Sequence, residues 1–488
     1  MRTRRHIDGC IYGVLILLSL SGACSNLYYY AMGGDGINVG TYIVFAISLI
    51  GFLVGVLNLK ITSSARMGRI LLLLLAVGIA LSFYYLACFR KNNMLAIKAS
   101  LSFFFIPLIS TGAYALTGKD GKPFARLLLF LGILFATVGI FQFIVGANAP
   151  LGWQVLHGEE CLYFWGVGWI RPTAWVGNSI LYSALVYMLF IFSYQYFLVR
   201  GGALAFVSSM LLAGAIYVAM SRYTMAATLA MWLSVSVLWC LLDVKTKRVV
   251  VRACAVTLST VMLIVALSFY NSLGIGMWST KSSASPTEQQ SHSNVQQPPQ
   301  AVQALKPEQY KKAPSASDSA LIIIDRFRTS SPYSQGSNKM HAMETQQAIQ
   351  QLLNGQGPSG WGSEGISAKK SIISDGLWFQ FAIEVGLFNA ALFVGWLLLI
   401  IIFTAVAVAK AYWRSRKVGR IHSELHHTSF LYVAGITILA YSFYALLGGV
   451  INSSYACRIT YALFWILIGC FMKSVDILRA ESTKELEA

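Results

Sequence analysis

Six side chains could act together in one chemistry: the guanidinium groups of Arg171, Arg222, Arg326 and Arg328, and the carboxylates of Asp375 and Glu384. A guanidinium fork grips a phosphate through two parallel N–H bonds and keeps its charge. Each hydrogen bond to a charged group contributes roughly 1.5–3 kcal/mol net, so two or three such side chains are enough to hold a pyrophosphate. A nearby carboxylate is suited to taking a proton from an attacking hydroxyl. The set fits transfer from a lipid pyrophosphate, and it fits equally a protein that only binds a lipid head group. Each arginine alone also has a plain reading as a membrane-surface anchor, because long basic side chains snorkel at little cost. Lys91 and Lys98 are read that way, and Glu384 has an alternative as a helix cap or packing residue.

The elements that must position these groups are membrane helices. With 56% of its 488 residues hydrophobic and only 11% charged, the chain falls far from the composition of a soluble globule. Runs of the roughly 20 apolar residues that a bilayer requires recur throughout. They predict an all-α, polytopic membrane protein with twelve spans, at about 10–30, 38–58, 70–88, 95–116, 127–146, 174–199, 202–220, 224–242, 253–272, 380–409, 428–448 and 458–476. Spans seven and eight, separated by little more than Ser221-Arg222-Tyr223, form a tight hairpin.

The net charge of +18 would suggest nucleic acid in a soluble protein, but here the Lys and Arg residues sit in short loops, so no nucleic-acid partner is expected. With the N-terminus inside, inner segments hold 22 basic residues and the short outer ones six. By the positive-inside rule both termini are cytoplasmic. The segment opening Met1-Arg2-Thr3-Arg4-Arg5 is read as the first anchor rather than a cleaved signal peptide. The eight cysteines include no CxxC pair, so neither a disulfide framework nor a zinc site is expected.

The chain divides into residues 1–272 with spans one to nine, a large outer loop over 273–375, spans ten to twelve over 376–476, and a cytoplasmic tail at 477–488. In the loop, 281–318 is rich in Ser, Gln and Pro and is expected to be disordered, whereas 320–375 is expected to be partly helical. Arg326 and Arg328 lie in that second part, Asp375 lies where the chain re-enters the membrane, and Lys339 and His341 are fallback polar groups. A second outer segment, about 147–173, is aromatic, as an interfacial belt would be.

Three stretches carry a resemblance. Arg171-Pro-Thr-Ala-Trp-Val-Gly-Asn178 opens span six, Ser221-Arg222-Tyr223-Thr224 forms the hairpin, and a Gly-rich turn from Asn354 to Gly362 precedes Asp375-Gly-Leu-Trp-Phe-Gln-Phe-Ala-Ile-Glu384-Val-Gly386. In this order they resemble the O-antigen polymerase and O-antigen ligase superfamily of bacterial inner-membrane glycosyltransferases, over roughly Arg171 to Gly395. The resemblance implies an inverting, metal-independent transfer on the periplasmic face, with no cofactor. The donor would be a polyprenyl-pyrophosphate glycan and the acceptor a hydroxyl of a lipid-linked repeat unit. A chain-length regulator and a flippase are the implied protein partners, beside membrane lipids.

Carried over by position, Asp375 and Arg222 are the candidate catalytic residues. Arg171, Arg326, Arg328, Asn178 and Glu384 are the candidate substrate contacts. Ligases typically carry His where this chain has Asp375, and polymerases more often an acidic residue, which favours the polymerase. The arginine–glycine spacing of the polymerases is not matched, since Gly336 lies one residue short of the expected distance from Arg326. Two alternatives stay open: a ligase that transfers glycan to lipid A–core, and a non-catalytic lipid-glycan flippase or transporter.

Overall fold

A computed structural model describes residues 13, 16–18, 20–24, 39–61, 66–88, 104–117, 121–145, 163–164, 169–176, 179–242, 246–272, 346, 387–417, 425–448 and 458–487. These residues are almost entirely helical. The helices are α1 (Val39–Ile61), α2 (Arg66–Cys88), α3 (Ile109–Leu116), α4 (Lys122–Val145), α5 (Ser179–Arg200), α6 (Ala203–Ala219), α7 (Arg222–Leu242), α8 (Thr246–Ser272), α9 (Leu387–Lys417), α10 (Leu425–Gly448) and α11 (Arg458–Glu487). Two short strands, β1 (Tyr163–Phe164) and β2 (Trp169–Ile170), pair antiparallel just before Arg171.

Among the described residues eight helices are long and apolar enough to cross a membrane, and the chain is a multi-pass membrane protein. Large apolar side chains stand exposed along α1, α7, α8 and α9, including Leu57, Leu241, Met262 and Leu399. In water they would be a liability; against acyl chains they cost nothing. By contrast α5, α10 and α11 are enclosed, with Tyr187, Tyr441 and Trp465 fully buried.

The packing has two groups joined through α10 and α11. In one, α1, α3 and α11 approach backbone to backbone: a Cβ on Gly112 would lie 2.7 Å from the Gly51 Cα, and one on Gly469 would collide with the Ser110 carbonyl. Small residues here replace the hydrophobic driving force that lipid does not supply between helices. In the other group α5 lies at the centre of α4, α6, α7, α8 and α10. Hydroxyl pairs fasten it, Ser193 to Ser208 on α6 at 2.9 Å, buried, and Tyr194 to Ser236 on α7 at 2.6 Å, partly buried. At the far end of α5, Arg252 of α8 donates to the carbonyls of Leu198 and Val199, closing the helix C-terminus before Gly201.

The expected spans and observed helices differ in informative places. Span six was expected from residue 174, but α5 begins at Ser179, because 173–176 is a turn instead. The described part of the fourth span is a short helix, α3, entered through a 3-10 turn at Ile106–Leu108 around Pro107, whose missing N–H suits a helix start. Helices α9 and α11 run on past the apolar stretch to Lys417 and Glu487, since nothing in either tail breaks a helix.

Candidate functional site: two strained turns held together by Arg171

Strand β2 ends at Ile170, and the next residues, Arg171 and Pro172, lead into a tight turn closed by the Val176 N–H on the Thr173 carbonyl at 2.9 Å. Its two central residues, Ala174 and Trp175, have φ of 41° and 53°. Positive φ at both central positions marks a mirror-image turn, which Gly and Asn favour and which costs an L residue about 1–2 kcal/mol each. Neither residue here is Gly or Asn, so the surroundings must impose the shape. Three contacts do so. Gln142 of α4 accepts the N–H groups of Thr173 and Ala174 on Oε1, at 3.0 and 2.8 Å. The Trp175 indole packs on Phe135, with ring centroids 5.5 Å apart. Gly22 abuts the Trp175 carbonyl, where a Cβ would collide.

The second turn joins α6 to α7. Met220 caps α6 in the left-handed region at φ 53°, the place where glycine is usual, and donates its N–H to the Tyr217 carbonyl. The left-handed non-glycine residues among the described residues are Ala174, Trp175 and Met220, so backbone strain is confined to these two turns. Such clustering is what a pre-organised site shows.

Arg171 links them. Its Nε donates to the carbonyl of Ala219, the last residue of α6, at 2.9 Å. A cation at a helix C-terminus is favourably placed. This is its one hydrogen bond among the described residues, and it engages the Nε edge, leaving the two Nη groups to other partners. Burial pulls the Arg171 guanidinium down to about 10, so it remains charged at neutral pH. Arg222 follows three residues after Ala219, as the first residue of α7, and is half-buried. The N-terminus of α7 adds its own partial positive charge, so both contributions there attract an anion.

Below Arg222 lies a hydroxyl cluster. Thr224 Oγ1 lies 2.9 Å from Ser221 Oγ, 3.0 Å from Ser183 Oγ on α5 and 2.8 Å from the Tyr444 hydroxyl on α10. Tyr223 donates to the Tyr444 carbonyl at 2.6 Å, and Tyr444 stacks on Tyr187 with ring centroids 4.3 Å apart. Three helices are thereby pinned together within two residues of the arginine. Thr224→Val, which keeps the shape and removes the shared hydroxyl, is expected to lower the unfolding free energy by about 2–3 kcal/mol, from orphaned buried partners. Thermal unfolding in detergent checks this.

The strain itself is testable at Ala174, which is fully buried. A β-branched residue at positive φ is a steric outlier, so Ala174→Val is expected to cost more than about 2 kcal/mol. Ala174→Gly should fall within about 1 kcal/mol of wild type, because relief of strain offsets the lost methyl. Denaturant melts of the two variants give the comparison.

Of the candidates from sequence, the structure brings Arg171 against the turn that carries Arg222. Asn178, Arg326, Arg328, Asp375, Glu384, Lys339 and His341 lie outside the described residues. Among the described residues no three His, Cys, Asp or Glu side chains gather as a metal-ligand set. Sequence reasoning missed Gln142, Thr224 as a junction, and Tyr444. The one available signal was polarity at a wrong-looking place, an amide within the apolar run 127–146 and a hydroxyl just inside span eight. Compared with known families, curated proteins and solved structures, the chain matches none.

Proposed function

We propose that this chain is a polysaccharide polymerase that extends a lipid-linked surface glycan at the outer face of a bacterial inner membrane. The observation that carries the reading is the Arg171–Ala219 hydrogen bond, which seats one guanidinium at the turn leading to another within a membrane-embedded scaffold. A guanidinium bonded to the turn that leads to a second arginine, beside a helix N-terminus, suits a diphosphate better than a neutral ligand. In the proposed reaction the acceptor hydroxyl attacks the anomeric carbon of the donor glycan. The new C–O bond forms as the bond to the polyprenyl pyrophosphate breaks, and the hydroxyl proton passes to a carboxylate, for which Asp375 is the candidate. Arg171 and Arg222 stabilise the charge that grows on the departing diphosphate, which is where electrostatic help lowers a barrier most.

The reading includes twelve spans, cytoplasmic termini, and a large outer loop between the ninth and tenth spans that supplies Arg326, Arg328 and Asp375. It needs no metal. Purified protein in nanodiscs, given a synthetic polyprenyl-pyrophosphate repeat unit in the presence of EDTA, is expected to make a ladder of products. A single product formed only when lipid A–core is added would make the protein a ligase. No product with either acceptor, under conditions where the protein is folded, would end the glycosyltransferase reading.

A further inference from the structure

We infer that Gln142 is the positioning residue of this site: through the strained 173–176 turn it sets where the Arg171 guanidinium sits. The inference rests on the reading of Arg171 as a ligand contact. Gln142 lies near the end of α4, is fully buried, and bonds to no charged group among the described residues. Its Oε1 receives two consecutive backbone N–H groups, the arrangement in which successive amides form a concavity for an anion or an oxygen. The chain fills that concavity with its own amide oxygen, which leaves the guanidinium to bind the ligand. The amide orientation is dictated, because the reverse would set an NH₂ donor against two N–H donors.

The other end of the same amide supports a positioning role. Nε2 is buried and has no hydrogen-bond partner among the described residues. A buried donor without an acceptor is unfavourable, so a leucine or methionine would suit an apolar helix better unless Oε1 does something needed. What Oε1 does is anchor Thr173 and Ala174 at the entry to a turn whose central residues, Ala174 and Trp175, have positive φ. Arg171 stands two residues before the first of those N–H groups, with the stiff Pro172 between them, so a change in the turn is passed directly to the arginine.

Two variants separate this from a general packing role. Gln142→Met keeps length and bulk without an acceptor; Gln142→Glu keeps the acceptor, whether its carboxyl is charged or protonated, and loses the orphan amine. In full-length protein in nanodiscs, hydrogen exchange is read at Thr173 and Ala174 and across 219–222, and inorganic pyrophosphate affinity is measured. Gln142→Met is expected to speed exchange at both places, and to weaken pyrophosphate binding, about tenfold each. Gln142→Glu should stay within about threefold of wild type on every readout. Wild-type exchange across 219–222 in Gln142→Met would overturn the inference, as would a Gln142→Glu variant that is as impaired as Gln142→Met or fails to fold. Should wild type not bind pyrophosphate, the proposed function loses its support, while the exchange across 219–222 still decides whether Gln142 sets the seat of Arg171.

Discussion

Under the proposed reaction, Arg222→Ala is expected to reduce glycan transfer by ~10²–10⁴-fold while the protein remains folded, because two charge-assisted bonds of ~1.5–3 kcal/mol each would be lost from the transition state. The substitution leaves much of the junction intact. The bonds that pin the start of α7 come from Ser221, Tyr223 and Thr224, which the substitution leaves in place. Arg222→Lys retains a charge but not the planar fork, and about a tenfold loss is expected. The rate of ladder formation from a synthetic donor, set beside an unchanged melting temperature, is the measurement. A wild-type rate in Arg222→Ala would remove this residue from the reaction.

Arg171→Ala is a less clean experiment, since it also removes the donor to the Ala219 carbonyl and loosens the end of α6. Its pH behaviour is nevertheless defined. Burial lowers the Arg171 pKa to about 10 in the folded protein, so from there up to the higher value of the unfolded chain the unfolded chain binds more protons. Stability from this group therefore rises with pH in that window and is flat at neutral pH. Ligand affinity does the opposite, falling as pH passes about 10 and the guanidinium loses its charge.

Asp476→Ala carries the largest expected effect on stability, at the end of the bundle away from Arg222. Asp476 of α11 accepts the Met67 N–H on both oxygens, at 3.1 and 3.0 Å, and the Tyr114 hydroxyl at 2.6 Å. One carboxylate thus caps the first turn of α2 and holds α3, while Lys473, on the same helix, lies 4.9 Å from the centroid of the Tyr114 ring. Loss of a helix cap costs about 1 kcal/mol, and an orphaned charge-assisted partner roughly 1.5–3 more, so a total of about 3–4 kcal/mol is expected. Asp476→Asn keeps an acceptor and should lose about half as much. Equilibrium unfolding in mixed micelles gives the number, and a wild-type midpoint for Asp476→Ala would show that the three helices are held by apolar packing alone.

The membrane character of this chain was legible in its sequence because transfer into lipid is a property of each run by itself. Span eight at 224–242 became α7 at Arg222–Leu242, and span nine at 253–272 lies within α8. The break at Ser221 was visible for the same reason, but a tight hairpin was not the outcome: α7 packs chiefly on α5 and α8 and touches α6 only slightly. Arginines at helix ends were legible as a class, since a bilayer makes charge conspicuous. Asp375 and the loop arginines lie outside the described residues, so the sequence argument for them stands alone.

Only the tertiary structure decided which polar group meets which. Arg171 and Ala219 are 48 positions apart, and Thr224 and Tyr444 are 220 apart. No local periodicity encodes such meetings, because they follow from how helices rotate about their axes and pack. Gln142 shows the limit best: in sequence it is one amide in an apolar run, and its meaning appears only when the two N–H groups of a strained turn arrive on its oxygen. Hydropathy chose the solvent for each segment, while the need to satisfy every buried donor and acceptor chose their partners.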